Sequence, residues 1–322
     1  SGYLHVDFVQ GVGNGSDALE ISMRALGLNS SSCVGMAANA GGYSLIAARN
    51  IGCNIVFIDI CLDNGLIDLE DLIKVNDEYQ LDAVVLTYLY GNTNHAKEVL
   101  EFLGARNVPV LEDCAQALGS KIEESQVGSL GTIAAFSFYP TKNLGAIGDA
   151  GAIATESPLL AQRVSEIRQY GWTHRYVIEN ESGMNSRLDE IQAAVLNFGL
   201  PFVEEDAEKR KRILNHYKSS RNYSNFEFVT ESHSNATAHL AVIRLSEIAR
   251  TKAQEIFGGF GIETGLHYPL LDIDQNAGQR TLNSRYLPNS RVWVENILTI
   301  PCFPTLADHE VEQVVAALRE IG

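Results

Sequence analysis

A chain of 322 residues exceeds what one small core can organise, and suits one large domain with a smaller one beside it. Its hydrophobic (45%) and charged (20%) fractions are those of an ordinary globular enzyme. The formal charge of −16, from 24 basic against 40 acidic residues, leaves no basic footprint for nucleic acid or an acidic membrane, while small anionic ligands need only a few local donors.

Along the chain, short apolar runs alternate with amphipathic stretches. Helices are expected over 16–26, 42–50, 68–75, 96–106 and 158–170, and strands over 32–37, 54–58, 83–89, 109–111, 133–138 and 151–155. Such alternation predicts an α/β fold in which a mainly parallel sheet lies between helices. Ligands then bind on loops at the carboxyl ends of the strands. Residues 187–196 read as a helix capped by Asn185 and Ser186, and 197–221 as a long helix with a solvated, charged face. A strand over 238–245, a helix over 246–257, the segment 261–269 and a helix over 307–321 follow. This divides the chain into a large domain (1–200), a connecting helix (201–221) and a smaller C-terminal α/β domain (222–322).

The five cysteines (Cys33, Cys53, Cys61, Cys114, Cys302) are scattered beside apolar runs without a Cys-x-x-Cys pair, which predicts buried free thiols in a reducing cytoplasm. The eight histidines show no metal-ligand spacing, so no metal is expected. No apolar run approaches the ~20 residues of a membrane span, and no signal-peptide pattern is present, so a cytoplasmic protein without membrane contact is expected.

Four stretches carry chemistry. Gly11-Val-Gly-Asn-Gly-Ser-Asp-Ala-Leu19 leads into a helix: its glycines let the backbone approach a phosphate, and first-turn N–H groups point at it. A plain helix capped by Ser16 is the alternative. A dinucleotide loop fits less well, because Ser16 stands where Gly or Ala is needed and no acidic residue ends the next strand. In Val110-Leu-Glu-Asp-Cys-Ala-Gln116 an apolar strand ends in two carboxylates, Glu112 and Asp113; one can face a pyridinium nitrogen or cap the next helix. Lys142 follows an apolar strand and Pro140 on a glycine-punctuated loop, with no other charge between residues 134 and 148. A desolvated lysine loses pKa and becomes a nucleophile toward carbonyls. Ser137, five residues earlier, can bind a phosphate or a neighbouring carbonyl. Last, Arg168, His174, Arg175 and Arg187 cluster among aromatics, a match for a nucleotide diphosphate or a carboxylate.

Phosphate cradle, strand-end carboxylate and post-strand lysine follow in the order of a fold-type-I pyridoxal-phosphate enzyme. Gly15-Ser-Asp-Ala-Leu19, Glu112-Asp-Cys-Ala-Gln116, Phe136-Ser-Phe-Tyr-Pro-Thr-Lys-Asn-Leu-Gly145, Asn185-Ser-Arg-Leu-Asp-Glu190 and His267-Tyr-Pro269 resemble the DegT/DnrJ/StrS sugar aminotransferases over nearly the whole chain. The resemblance implies that Lys142 carries pyridoxal 5'-phosphate covalently and later moves the proton. It places Asp113 at the pyridine nitrogen, Gln116 near the phenolic oxygen, and Gly15, Ser16, Asp17 and Ser137 around the phosphate. Asn185 reaches the neighbouring subunit of a homodimer with active sites at its interface. Tyr43 is assigned to the ring face, and Arg187, His267 and Tyr268 to the substrate. The reaction implied moves an amino group from L-glutamate to a keto-sugar on a nucleotide. Ala38-Asn-Ala-Gly-Gly-Tyr-Ser44, Arg168-Gln-Tyr-Gly-Trp172 and the stretch from His267 to Gln275 resemble the branch that aminates C3 of dTDP-linked 6-deoxy sugars, the desosamine and mycaminose enzymes.

Three features depart from that pattern. Gly41 stands where many relatives have the aromatic that stacks on the ring, Tyr88 replaces a common histidine, and the chain begins almost at the phosphate loop. Amination at C4, or an inactive or regulatory cofactor-binding homologue, are the alternatives. A sugar dehydratase of this fold needs His in place of Lys142.

Overall fold

The computed structural model describes residues 1–220, 223–276, 281–282 and 285–322. Its strands are β1 (Phe8–Val12), β2 (Cys33–Ala37), β3 (Asn54–Ile58), β4 (Ala83–Thr87), β5 (Val110–Asp113), β6 (Lys121–Ile122), β7 (Ser125–Gln126), β8 (Ile133–Ser137), β9 (Gly151–Thr155), β10 (Trp172–His174), β11 (Val177–Ile178), β12 (Phe226–Phe228), β13 (Ala241–Leu245) and β14 (Ile297–Ile300). Its helices are α1 (Gly15–Ala25), α2 (Tyr43–Ile51), α3 (Leu69–Tyr79), α4 (Ala96–Gly104), α5 (Pro158–Ile167), α6 (Glu190–Gly199), α7 (Val203–Ser219), α8 (Arg250–Gly259), α9 (Pro288–Asn296) and α10 (Asp308–Ile321).

Seven strands form the central sheet, in the order β1-β9-β8-β5-β4-β2-β3. β3, β2, β4, β5 and β8 run parallel, whereas β9 is antiparallel to both β8 and β1. The parallel strands are apolar on both faces because each face meets helices. In β4, Val84 and Leu86 enter one core, which also holds Leu72 and Val75 of α3. Ala83 and Val85 enter the other, with Ile21 of α1, Leu45 of α2 and Val164 of α5. A third core joins β12-β13-β14 to α7, α8 and α10 through Tyr217, Ile243, Phe257 and Leu318. α9 packs back on the sheet: Trp293 is fully buried in the first core, and Asp59 accepts hydrogen bonds from Asn289 N (3.0 Å) and Ser290 N (2.8 Å) at its first turn.

Several expected boundaries move for local reasons. Asn14, not Ser16, caps α1, accepting from Asp17 N at 2.8 Å. α6 begins at Glu190 because Asp189 caps it, so Asn185 and Ser186 are not its cap. The long helix expected from 197 is broken at Pro201, which lacks an N–H; a short turn over Leu200–Phe202 separates α6 from α7. Its expected end at 221, and the boundary at 222, lie outside the described residues. β1, the short hairpins, β12, β14 and α9 were not among the expected elements. All five cysteines are free, four of them buried and Cys61 half-buried. Among the described residues no helix is long and apolar enough to cross a membrane, and no cluster of His, Cys, Asp or Glu suits a metal.

Candidate active site

The sheet's carboxyl edge is where β5, β8 and the start of α1 converge. β5 ends in adjacent buried carboxylates whose partners differ completely. Glu112 accepts from Tyr88 Oη (2.8 Å) and from the N–H groups of Gly128 (3.0 Å), Leu130 (2.9 Å) and Gly131 (2.6 Å). Among the described residues the Asp113 carboxylate accepts only from Thr87 Oγ1 and Ala115 N, both at 3.2 Å, and it lines a cavity of about 630 Å3. No helix follows for Asp113 to cap. Successive strand side chains point to opposite faces, so one of a consecutive pair turns inward and the other reaches the site.

The first turn of α1 sits directly on β8. A Cβ at Gly15 would lie 2.6 Å from Ser137 Cβ and 3.0 Å from its Oγ, so this approach requires glycine. The N–H groups of Gly15 and Ser16 have no acceptor inside the helix, and both residues line the cavity with Ser137. Ser137 Oγ makes no hydrogen bond with a described residue. Asp17 points elsewhere: Ser186 Oγ donates to it at 2.6 Å and accepts from Gly13 N at 2.9 Å.

Lys142 N donates to Tyr139 O at 2.8 Å in the turn after β8. Gly145 lets that turn close, since a Cβ there would meet Pro140 O at 2.5 Å. Asn143 anchors it: its Nδ2 donates to Leu118 O (3.1 Å), and its Oδ1 faces His239 Nδ1 (2.7 Å), which is therefore assigned the proton. The Lys142 side chain enters the cavity without a hydrogen bond or ion pair among the described residues. Burial holds its amine below the ordinary lysine value, against the pull of Asp113. Asp113 is pushed up by burial, opposed by Ala115 N, Lys142 and Thr87. Burial and then Lys142 lower both His239 and His267, His239 well below its usual value.

The opposite wall comes from far along the chain. Gln116 Oε1 accepts from Tyr90 N at 2.7 Å, and its Nε2 donates to Tyr268 Oη at 3.1 Å. Tyr90 Oη donates to the carbonyl of His267, whose Nδ1 lies 2.9 Å from Thr299 Oγ1. Tyr43, half exposed, meets Tyr268 edge-on with centroids 6.0 Å apart. A Cβ at Gly41 would lie 2.8 Å from the Tyr268 ring, so Tyr268 fills the space in front of that glycine.

Gly15, Ser16, Tyr43, Asp113, Gln116, Ser137, Lys142, His267 and Tyr268 thus share one cavity. Asp17, Asn185 and Arg187 do not line it. Asn185 and Arg187 are exposed on the segment before α6, where Arg187 Nε donates to Asn185 Oδ1 (3.3 Å) and its guanidinium lies over the Tyr170 ring. Sequence reasoning missed His239 and Tyr90; the only local signal was the motif Tyr88-Leu-Tyr-Gly91 around Tyr90. Open helix N–H groups beside an unpartnered hydroxyl suit a phosphate, a buried carboxylate suits a ring nitrogen, and a neutral-leaning lysine suits an aldehyde. The residues present fit pyridoxal phosphate.

Known proteins agree. The model of the DegT/DnrJ/EryC1/StrS aminotransferase family matches residues 1–319. The dTDP-3-amino-3,6-dideoxy-alpha-D-galactopyranose transaminase of Aneurinibacillus thermoaerophilus is 32% identical, over 99% of this chain and 87% of its own. The erythromycin biosynthesis sensory transduction protein EryC1 of Saccharopolyspora erythraea is 30% identical, over 96% and 84%. Among solved structures, S. venezuelae DesV in complex with a ketimine intermediate superposes with a TM-score of 0.93 at 29% identity, over 99% of this chain and 86% of that one. A sheet edge that gathers a lysine, a carboxylate and an open helix N-terminus is thus found in a chain that belongs, over almost its whole length, to the DegT/DnrJ/EryC1/StrS aminotransferase family.

Proposed function

We propose that this aminotransferase moves an amino group from L-glutamate to C3 of a 6-deoxy keto-sugar carried on dTDP, and works in the cytoplasm as a homodimer with active sites at the interface. The observation that carries the reading is Lys142, half-buried, without a partner among the described residues and held toward its neutral form, in a cavity shared with Asp113 and the first turn of α1. The sugar assignment draws on the 32% identical relative named as a dTDP-3-amino sugar transaminase. The domain division at 200 and 221 belongs to the same proposal.

In this reading Gly15, Ser16 and Ser137 bind the phosphate of pyridoxal phosphate, and Asp17 holds the loop to Ser186. Bound there, the cofactor supplies an aldehyde for the donor's amine and a ring that draws electrons from the carbon losing its proton. Asp113 keeps a negative charge at the ring nitrogen, and Gln116, fixed by Tyr90 and Tyr268, orients toward the phenolic oxygen. Tyr43 bounds the ring face. Lys142 Nζ is the base that takes the proton from the donor's α-carbon and the acid that returns one to the sugar carbon receiving the amine. His267 and Tyr268 bound the substrate side, and Asn185 and Arg187, exposed outside the cavity, are available to a partner subunit's site.

The test is spectroscopic. The purified chain acquires a visible band with pyridoxal phosphate, Lys142→Ala loses it, and L-glutamate bleaches it. Mass spectrometry of products from dTDP-4-keto-6-deoxyglucose and its 3-keto isomer then reads the carbon aminated. A folded chain that binds no pyridoxal phosphate, or ignores L-glutamate, refutes the reading.

A further inference from the structure

His239 is a buried imidazole in the wall around Lys142, and its two ring nitrogens have different surroundings. Nδ1 lies 2.7 Å from Asn143 Oδ1. Asn143 presents that oxygen because its Nδ2 donates to Leu118 O at 3.1 Å, so Nδ1 carries the ring proton. Burial, then Lys142, Arg210 and His267, hold the ring neutral, which leaves Nε2 a bare acceptor. Among the described residues Nε2 has no hydrogen-bond partner, and it is not sealed off: the 6% of the residue that stays exposed lines the space around Lys142. Backbone holds the ring there as well. His239 N donates to Tyr90 O at 2.9 Å, and Tyr90 (φ 63°) and Ala238 (φ 48°) both have the left-handed backbone that non-glycine residues rarely adopt. The ring's other anchor, Asn143, directly follows Lys142 in the chain. An unpartnered donor and an unpartnered acceptor thus face one space, tied together through Asn143.

We propose that His239 is a positioning residue for Lys142: its Nε2 accepts a hydrogen bond from the lysine nitrogen whenever that nitrogen is not bonded to the cofactor. The inference rests on the aminotransferase function above, in which the lysine leaves the cofactor and then serves as base and acid. A neutral amine that gives one N–H to Nε2 turns its lone pair away from the ring and toward the rest of the cavity. An ammonium gains more from the same contact, because a charge-assisted hydrogen bond is the stronger kind. Asp113 also favours the charged lysine, but through its field and without a hydrogen bond among the described residues. His239 adds a direction. Being held neutral, it does not compete for the proton.

Nitrogen-15 NMR of the full chain with labelled histidine reads Nε2 directly, and His239→Leu identifies its signal. In the chain loaded with pyridoxal phosphate the lysine is engaged, and Nε2 resonates as a free acceptor. L-Glutamate bleaches the visible band and releases the lysine, and the Nε2 signal moves upfield as the hydrogen bond forms. Glutarate, a dicarboxylate without an amine, leaves the signal in place. In the cofactor-free chain the signal is already upfield, and Lys142→Ala returns it to the free position. There His239→Leu also lowers the pH of half-maximal reaction with pyridoxal by about one unit, the tenfold preference for the ammonium that the lost contact supplied. His239→Gln, whose amide has a donor and an acceptor at similar spacing, restores most of that shift. An Nε2 signal indifferent to release of the lysine, or displaced equally by glutarate, overturns the proposal. So does a His239→Leu chain that melts lower while its pyridoxal midpoint stays put, the behaviour of a histidine that only anchors Asn143. A band that L-glutamate fails to bleach removes the donor instead, and the cofactor-free comparison with Lys142→Ala still decides the contact.

Discussion

Glu112 and Asp113 are covalent neighbours with opposite fates. Glu112 takes four hydrogen bonds from Tyr88 and the turn at 128–131, and Asp113 takes two and faces the cavity. Glu112→Ala strands three backbone N–H groups and lowers stability by about 3 kcal/mol or more, at roughly 1 kcal/mol or above for each buried donor left unpaired. Asp113→Asn removes a carboxylate that burial already disfavours, so it melts near wild type and instead loses cofactor affinity. Paired denaturation and cofactor titrations check both; a large melting loss in Asp113→Asn contradicts this division of roles.

Gly15 and Ser137 set the cofactor cradle by contact. An alanine at 15 would bring Cβ to 2.6 Å from Ser137 Cβ, too close for either backbone to hold its place. Gly15→Ala therefore weakens pyridoxal-phosphate binding more than it changes the fold, and adding Ser137→Gly relieves the clash. Ser137→Gly alone also removes a phosphate-binding hydroxyl, so cofactor affinity is compared in both single variants and the double one. The double variant binds as Ser137→Gly alone does, and a further loss on adding Gly15→Ala means the glycine acts otherwise.

Much of this site is legible in local sequence, because its chemistry is coded by the residues at the ends of the strands. A glycine loop before α1, a carboxylate closing β5 and a lysine after β8 each adjoin a recognisable apolar run. The layered α/β fold is readable for the same reason. The features that escaped depend on contacts across the chain. Asn185, Ser186 and Asp189 are all capping residue types, and only the structure shows that Ser186 is taken by Gly13 and Asp17, leaving Asp189 to start α6. The absence of an aromatic at Gly41 becomes intelligible once the Tyr268 ring is seen against it. His239 carries no local pattern at all; its meaning lies in a cavity that the segment before β13 shares with the loop after β8.

Asp113 and Lys142 are electrostatically linked, and each is shifted first by burial. Asp113 raises the pKa of the Lys142 amine, against a larger lowering from burial. Asp113→Asn therefore lowers that pKa further, and the pH at which the cofactor-free chain reacts half-maximally with pyridoxal moves down. A midpoint that stays put or rises in this variant rules out the coupling.

Asp272 lies within the stretch from His267 to Gln275 and is fully buried against the turn at 40–42. Burial pushes its carboxyl up to about 8, despite the opposing N–H groups of Gly42, Gly41 and Ala40. In the unfolded chain an aspartate titrates near 4, at about 3.9. Between those values the folded chain keeps a proton that the unfolded chain has lost. Stability therefore falls as pH rises from about 4 toward the folded value, and levels off above it. Asp272→Asn cannot ionise, and it gives up no hydrogen bond among the described residues, since neither carboxylate oxygen has one there. Its melting temperature exceeds that of the wild type at pH 8, and the difference shrinks as the pH approaches 4. An advantage of the same size at both ends of that range means that Asp272 is already ionised in the fold, and that the turn's N–H groups, not burial, set its charge.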